Sequence, residues 1–420
     1  MSGISATLAI NEAVRARIAS GEDILHLGFG EAGLPVPPPV GEVLRRQAHG
    51  RNSYPSVAGD PSARESVAGY FSRRNIPAHP QRVVLGPGSK SLLYALLAVL
   101  PGDVILPAPS WVSYAAQASL LGKRVIPTPI PSHVGGVPDP EALEHILDRE
   151  AGTGGRPRVL LLTIPDNPTG TVADHALLER LCQIANARQL VIVADQIYAD
   201  LAHDGRRPTS PAQILPERTI VTTGLSKSLA LGGWRIGVAL LPSSRIGDEI
   251  VDRLLQFASE VWSALPGPMQ DVVRYAFAEP PELVRHIQNA QRLHREVARA
   301  VHTIVTDAGA SCRPPQAGFY LYPDFSALGV ASSSEELAWL LLDKHRVAVL
   351  AGSAFGDDPQ RPTVRIATSL LYGSNDEQRW TALTSREPTR LPWIAAALDK
   401  LRTTMAALSE TGSLSAGVSH

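Results

Sequence analysis

The stretch TIVTTGLSKSLALGGWRIGVALLP, residues 219–242, places a lysine between two apolar segments rich in β-branched residues. Segments 219–225 and 235–242 have the composition of buried strands, and two glycines lie between the lysine and the second strand. Lys227 is therefore predicted at the point where a strand ends and a turn begins. Taken alone, the stretch favours a lysine in a surface loop, because most lysines lie on solvated surfaces.

Five more apolar runs of the same kind precede this stretch and alternate with helical patterns. They are RVVLG (82–86), DVILPAP (103–109), RVIPTPI (124–130), RVLLLTIP (158–165) and LVIVAD (190–195). Continuous apolar strands separated by helices are typical of a mostly parallel sheet with helices on both faces. The sequence therefore predicts an α/β fold whose large domain is built on a mostly parallel seven-stranded sheet.

The pattern changes towards the C-terminus. A long helical pattern at 281–305 is followed by strand candidates at 318–325, 345–352 and 363–369, which together predict a smaller α+β domain. At the other end of the chain, apolar residues at helical spacing before Gly21 predict a short amphipathic helix.

The composition argues against several classes of partner. The 420 residues include 39 Lys+Arg and 40 Asp+Glu, for a net charge of -1, so there is no basic footprint for nucleic acid or for an anionic membrane. Cys182 and Cys312 are the two cysteines, too few for a disulfide framework or a zinc cluster, and no metal site is predicted. With neither a signal peptide nor a membrane-spanning run in the sequence, we expect a reduced, cytoplasmic location.

Chemically distinctive residues follow the predicted strands, and ligands of open parallel sheets bind at the carboxyl ends of their strands. These residues are Gly88, Ser89 and Lys90 after the first run, Trp111 after the second, Asn167 after the fourth, Asp195 and Tyr198 after the fifth, and Lys227 after the sixth. Each has an ordinary alternative. GPGSKS resembles a nucleotide-binding P-loop, but Ser89 stands between the glycine and the lysine. Asp195 could cap a helix and Trp111 could be a core residue.

Taken together, these residues predict a ligand with five features. Glycine, serine and lysine at 88–90, together with Arg235, suit a phosphate, and Trp111 suits a flat ring. Asp195 suits a cationic ring nitrogen, and the pair Asn167 and Tyr198 suits an anionic ring oxygen. Lys227 suits a carbonyl, with which it can form a Schiff base. Pyridoxal 5'-phosphate has all five features, and is the predicted cofactor.

With these residues in place, the chain resembles the fold-type I, class I/II aminotransferases, the aspartate aminotransferase relatives, over roughly residues 20–370. The motifs are NSYPSVAGDPSARESVAGYF (52–71), PAPSWVSY, DNPTG, ADQIYADL, SKSLALGGWRIG, TVRIATS and LGFGEAGLPVPPP (27–39). The resemblance implies that Tyr54 reaches the cofactor phosphate of a partner subunit. It also implies that Ser226 lies at the cofactor and that Arg365 grips the substrate carboxylate. Gly30, Asn167 and Trp111 are then substrate contacts as well.

The resemblance implies a division of the chain and a homodimer with a shared active site. The predicted parts are an N-terminal helix with the segment that closes over substrate (1–45), a large cofactor-binding domain (46–285), a small C-terminal domain (286–408) and a disordered tail (409–420). The expected substrates are small molecules, an L-amino acid and a 2-oxo acid.

The sequence departs from the family at a few positions. Gly224 replaces a serine common in the best-known relatives, Gln196 and Ala351 replace a usual glutamate and proline, and GEAGLP replaces Glu-Pro-Asp-Phe. Residues 370–393 are longer and more polar than usual. They are interpreted either as a lid or partner contact near the active-site mouth or as a surface insertion.

The predicted function is a pyridoxal-phosphate-dependent aminotransferase with Lys227, Asp195 and Tyr198 as catalytic residues. The same residues also fit an eliminating lyase, a cyclising synthase or an oxidase on this scaffold. A cofactor-sensing regulator is a rival of another class, but only about 25 residues precede the pattern. A nucleotide-binding protein is disfavoured by the imperfect P-loop.

Overall fold

A computed structural model describes residues 5–416, so positions 1–4 and 417–420 of the predicted N-terminal and tail segments lie outside the described residues. The strands are β1 Leu25–His26, β2 Val83–Pro87, β3 Asp103–Ala108, β4 Val125–Pro129, β5 Pro157–Thr163, β6 Val191–Asp195, β7 Thr219–Gly224, β8 Ile236–Leu240, β9 Tyr320–Leu321, β10 Val347–Ala348, β11 Leu350–Ala351 and β12 Val364–Ala367.

The helices alternate with the strands in the first part of the chain and dominate the second. They are α1 Ala6–Ala19, α2 Pro38–Gln47, α3 Pro61–Ser72, α4 Ser89–Val99, α5 Val112–Leu120, α6 Pro140–Thr153, α7 His175–Ala187, α8 Pro211–Ile214, α9 Arg245–Val261, α10 Gly267–Phe277, α11 Pro281–Asp307, α12 Ser334–His345, α13 Asp376–Thr384 and α14 Pro392–Ala416. None of these described helices is both long enough and apolar enough to cross a bilayer.

Seven strands form the central sheet in the order β2-β8-β7-β6-β5-β3-β4. Neighbouring strands are parallel except at β8, which is antiparallel to both β2 and β7. The predicted α/β fold with a mostly parallel seven-stranded sheet is confirmed.

Helices cover both faces of the sheet, and successive residues of each strand point to opposite faces. In β5, Val159 and Leu161 pack in the cluster with α4, α5 and α9, whereas Leu160 and Leu162 pack in the cluster with α6 and α7. This double burial explains why the strands read as continuous apolar runs rather than as alternating patterns.

A smaller unit surrounds β11, β12 and β9, which form a three-stranded antiparallel sheet. Its connection to the large sheet is α11, whose Leu283 packs with the large-sheet helices and whose Leu293 and Val297 pack in the other core. The predicted boundary between 285 and 286 therefore lies inside one continuous helix. The four-part division of the chain stays a prediction.

The N-terminal segment contributes to both units. Strand β1 pairs in parallel with β10, with Leu25 opposite Val347, while α2 packs against α10 beside the large sheet. The chain between them crosses the strand ends of the large sheet, which brings residues 29–31 to the cavity described below.

Residues 370–393 form packed structure beside α11. Tyr372 is fully buried, His294 Nδ1 lies 2.7 Å from its hydroxyl, and the indole of Trp393 donates to its carbonyl. The Trp380 ring contacts the ring of His286. The interpretation as a lid at the active-site mouth is wrong, because these aromatic residues direct the segment into the core of the small unit and no residue of the segment lines the cavity.

The end of α14 also differs from the prediction. The helix continues through residues 409–416, which were predicted as part of a disordered tail. Two contacts hold the start of this segment: Leu408 is buried, and the hydroxyl of Ser409 donates to the carbonyl of Ala308 at 2.8 Å. Buried apolar contacts of this kind are what stabilise a helix in a protein.

Candidate active site

A cavity of about 490 Å³ lies at the carboxyl ends of the parallel strands, a volume in the range of small-molecule sites. The predicted site residues that line it are Gly30, Ser89, Lys90, Trp111, Asn167, Asp195, Tyr198, Ser226, Lys227, Arg235 and Arg365. Of the remaining predicted residues, Gly88 lies behind Arg235, and Tyr54 lies outside the cavity with 93% of its surface exposed.

Lys227 lies in the turn that follows β7 and is partly buried. Its Nζ donates a hydrogen bond to the carbonyl of Gly30 and lies 5.9 Å from the ring centroids of both Tyr198 and Phe319. A primary amine is thus held inside the cavity among aromatic rings, and the interpretation of Lys227 as an ordinary surface lysine is wrong.

Asp195 ends β6 and is 3% exposed. The hydroxyl of Tyr114 donates to its Oδ2 at 2.9 Å, and the backbone N–H of Ile197 donates to its Oδ1 at 3.3 Å. Burial raises the pKa of Asp195 to about 6, although these hydrogen bonds favour the carboxylate. Asp195 forms no ion pair within residues 5–416, and the charge of Lys227 is the smallest of the influences that lower its pKa, so a cationic group bound in the cavity would stabilise its charged form.

The end of the cavity opposite Asp195 is cationic. Gly88 has φ 90° at the start of α4, and a side chain there would overlap the guanidinium of Arg235, so the backbone turn requires glycine. Lys90 lies beside Arg235 and also near Trp111, whose ring centroid is 5.0 Å from its Nζ. Burial, followed by the charges of Arg235 and Lys227, lowers the pKa of Lys90. Two cations at a helix N-terminus favour binding of an anion such as phosphate.

Arg365 extends from β12 into the other side of the cavity and is 1% exposed. It donates to the carbonyl of Gly28 at 2.8 Å and to Oδ1 of Asn167 at 3.3 Å, while its Nε has no partner among the described residues. Burial lowers the pKa of Arg365, against a smaller opposite influence of Tyr320 and Tyr198, and no carboxylate within residues 5–416 pairs with its guanidinium. A buried guanidinium that is incompletely paired is suited to a carboxylate ligand.

Several residues at the site were missed from sequence. They are Ser5, Thr7, Leu8, Phe29, Glu31, Ser113, Tyr114, Thr163, Ile197, Gly232 and Tyr320. Tyr114 and Tyr320 were within reach of sequence reasoning, because each belongs to a motif or strand already singled out. Ser5, Thr7 and Leu8 carry no sequence signal of this kind, because only the packing of α1 in the folded chain brings them to the cavity.

The structure explains why position 224, where a serine is common in relatives, is a glycine in this chain. A side chain at this position would overlap the carbonyl of Ile236 on the paired strand β8. The close approach of the two strands therefore requires glycine at the end of β7.

The chain matches known proteins over most of its length. The sequence model of the family described as aminotransferase class I and II matches residues 22–371. The aspartate aminotransferase of Geobacillus stearothermophilus is 31% identical over 87% of this chain and 92% of the relative. The aspartate/prephenate aminotransferase of Cereibacter sphaeroides is 32% identical over 84% of this chain and 90% of the relative. The structure of the Thermus thermophilus aspartate aminotransferase with maleate has a TM-score of 0.80 and 28% identity, covering 90% of this chain and 95% of its own.

Proposed function

The chain belongs to the class I and II aminotransferases, and we propose that Lys227, Asp195 and Arg365 carry its pyridoxal-phosphate-dependent amino transfer. When bound, pyridoxal 5'-phosphate supplies an aldehyde for amines and a protonated ring that withdraws electrons from the carbon bearing the amino group. An amino acid and a 2-oxo acid are the substrates of this class.

The cavity fits this cofactor at each functional group. Gly88, Ser89, Lys90, Ser226 and Arg235 are proposed to hold the phosphate, Trp111 the ring face, Asp195 the ring nitrogen, Asn167 and Tyr198 the ring oxygen, and Lys227 the aldehyde carbon. The support comes from charge placement among the described residues: Lys90 and Arg235 have no acidic partner at one end, and the buried carboxylate of Asp195 forms no ion pair at the other. Such unpaired buried charges are costly unless a ligand of opposite charge binds.

Each residue then has a defined task. Arg365 orients the substrate through two parallel hydrogen bonds to its α-carboxylate, which lowers the entropic cost of reaching the reactive geometry. The Lys227 amine, once released, accepts and returns the proton of the substrate α-carbon. Asp195 keeps a proton on the ring nitrogen, and the loop at 28–31 shields these groups from water.

The observation that carries the proposal is that the Lys227 amine and the incompletely paired Arg365 guanidinium face one cavity. Elimination, cyclisation or oxidation would use the same residues, but the matched relatives are named aminotransferases. Those names also make aspartate and prephenate the first compounds to test as amino donor and acceptor.

The proposal is tested by trapping and by a half-reaction. Borohydride reduction of the purified holoenzyme should leave a pyridoxyl mass on the peptide containing Lys227 and not on that containing Lys90. Adding an L-amino acid alone should convert the bound cofactor to its aminated form and release one equivalent of 2-oxo acid. Release of ammonia with the cofactor unchanged would instead indicate an eliminating enzyme.

A shared active site is proposed from Tyr54, whose 93% exposure leaves it free to contact a second copy of the chain. Tyr54→Ala and Lys227→Ala homodimers should both be impaired. Refolding the two together should restore activity, because half the sites in the hybrid combine an intact lysine with the partner's intact tyrosine. If mixing gives no gain, the cross-subunit role of Tyr54 is wrong. The cytoplasmic location stays a prediction.

A further inference from the structure

Tyr320 lies at the centre of the cavity wall that faces the large sheet. It belongs to β9, is 1% exposed and places its hydroxyl 2.9 Å from that of Tyr198. The same hydroxyl is 3.4 Å from the carbonyl of Gly30, and the guanidinium of Arg365 lies 4.8 Å from the centroid of its ring. The Tyr320 side chain therefore contacts Tyr198, the loop at 28–31 (the closing loop) and Arg365.

We propose that Tyr320 is a positioning residue that fixes Tyr198 as a hydrogen-bond donor to the cofactor's ring oxygen and so lowers the proton affinity of the lysine–cofactor linkage. This inference rests on the proposed function, because it takes Tyr198 to face that oxygen. It adds a residue outside the set that the sequence motifs supplied.

Tyr198 and Tyr320 each have one hydroxyl proton available for a hydrogen bond. A phenol hydroxyl donates one hydrogen bond and can accept others. If Tyr198 donates to the ring oxygen, its contact with Tyr320 requires Tyr320 to be the donor. The pair then forms a chain with one direction, from Tyr320 through Tyr198 to the cofactor.

The alternative acceptor for Tyr320 is weaker. The carbonyl of Gly30 is 3.4 Å away, beyond the usual range for a hydroxyl donor, and it already accepts a hydrogen bond from Lys227. Tyr198 is closer, and both phenols are buried, which favours a direct hydrogen bond between them. The geometry thus favours donation by Tyr320 to Tyr198.

The directed chain has an electronic consequence. A hydroxyl that accepts a hydrogen bond becomes a stronger donor, and this effect is larger in a low-dielectric interior. Stronger donation to the ring oxygen draws electron density from it, and the conjugated nitrogen of the linkage then binds its proton less tightly. Tyr320 therefore affects the protonation of the linkage through Tyr198.

The wall also restricts what can stand at position 30. A side chain there would overlap the Tyr320 hydroxyl, so glycine in the closing loop is required for Tyr320 to reach Tyr198. This contact gives a physical reason for Gly30 that is independent of substrate binding.

The test is a pH titration of the visible absorbance of bound cofactor in the resting holoenzyme. Tyr320→Phe keeps the ring that packs below Arg365 and removes only the hydroxyl. Its titration midpoint should rise by about 0.5–1 pH unit, the size expected for losing one neutral hydrogen bond. The matched control is Tyr322→Phe, which removes a buried hydroxyl that donates to Asp357 outside the cavity and should leave the midpoint unchanged.

A double-variant cycle separates this route from any other. Tyr198→Phe should raise the midpoint, and adding Tyr320→Phe to it should give no further rise. An unchanged midpoint in Tyr320→Phe, or an equal shift in both backgrounds, would overturn the inference while leaving the proposed function intact. If borohydride trapping did not label Lys227, the proposed function itself would fail.

Discussion

One wall of the cavity is formed by strand ends of the large sheet and carries Asp195 and Lys227, whereas the opposite wall carries Gly30, Tyr320 and Arg365. On the first, the sheet wall, each side chain follows directly from a buried strand. On the second, the closing wall, Arg365 donates to Gly28, which lies 337 positions away in the chain. The sheet wall suits the constant chemistry of the cofactor, and the closing wall suits substrates that enter and leave.

This comparison predicts different kinetic losses on the two walls. Substitutions on the sheet wall should lower kcat or cofactor binding for every substrate, because they alter chemistry common to all. Substitution of Arg365 on the closing wall should mainly weaken substrate binding or orientation, whereas Tyr320 on the same wall acts on the cofactor through Tyr198.

The largest effect is expected for Lys227→Ala on the sheet wall. Loss of both the cofactor link and the proton-transferring amine should reduce kcat by roughly 10⁴-fold or more. The variant should still bind cofactor through the phosphate contacts. Steady-state rates and absorbance spectra measure both properties, with Lys400→Ala, a lysine that pairs with Asp23, as control. Near-wild-type turnover in Lys227→Ala would show that Lys227 is not the lysine that links the cofactor and transfers the proton.

Asp195→Asn should give the next largest loss. Replacing a buried carboxylate by an amide removes the charge partner of the ring nitrogen, at a cost of roughly 3–5 kcal/mol, or about 150–5,000-fold in kcat. Asp166→Asn is a matched control, since Asp166 is equally buried yet accepts hydrogen bonds from Thr169 outside the cavity. Equal kinetic losses in the two variants would mean that burial, not contact with the cofactor, explains Asp195.

On the closing wall, Arg365→Lys should reduce kcat/KM by roughly 30–150-fold, or 2–3 kcal/mol, for every amino donor. A lysine keeps the charge but cannot form two parallel hydrogen bonds with a carboxylate. Arg361→Lys, which alters an arginine paired with Asp324, should have little effect. A loss confined to some donors would place Arg365 at the substrate side chain instead.

The sheet wall should also affect the stability of the cofactor-free protein as pH changes. Burial raises the pKa of Asp195 to about 6, above roughly 3.9 in an unfolded chain, so the folded state binds the proton more tightly. Its contribution therefore favours folding below about pH 4, and the benefit is lost as pH rises through 6. Asp195→Asn should make the cofactor-free protein more stable than wild type by roughly 2–3 kcal/mol at pH 8, but not at pH 4.

Urea unfolding at the two pH values measures this difference. Cofactor loading should reverse it at pH 8, because the charged carboxylate then has a partner. A stabilising effect of Asp195→Asn that was the same at both pH values would contradict the proton linkage.

The smallest kinetic effect is expected in the segment 370–393. Trp380→Ala should lower the free energy of unfolding by roughly 1–3 kcal/mol, because its ring packs against the core of the small unit. The donor profile and kcat/KM should not change, since the segment does not line the cavity. Trp339→Ala, at an exposed tryptophan, is the control for stability. A changed donor profile in Trp380→Ala would restore the interpretation as a lid.

The sequence by itself determined the central sheet and most residues of the sheet wall. Strand β6 was predicted at 190–195 and lies at Val191–Asp195, with Asp195 at its end in both cases. The reason is local: a strand buried on both faces needs a continuous apolar run, and a polar residue that ends the run lies at the sheet edge. Lys227 and Asn167 were placed in the same way, and Arg365 from its motif.

Only the tertiary structure decided which distant groups meet. The hydrogen bonds from Tyr114 to Asp195 and between Tyr320 and Tyr198 join residues 81 and 122 positions apart. No periodicity in the chain encodes such pairs: the first depends on how α5 packs beside β6 in the large unit, and the second on how the small unit packs over the strand ends. The same packing buries the aromatic rings of residues 370–393 against the core of the small unit, while polar residues of the segment such as those at 374–377 stay exposed.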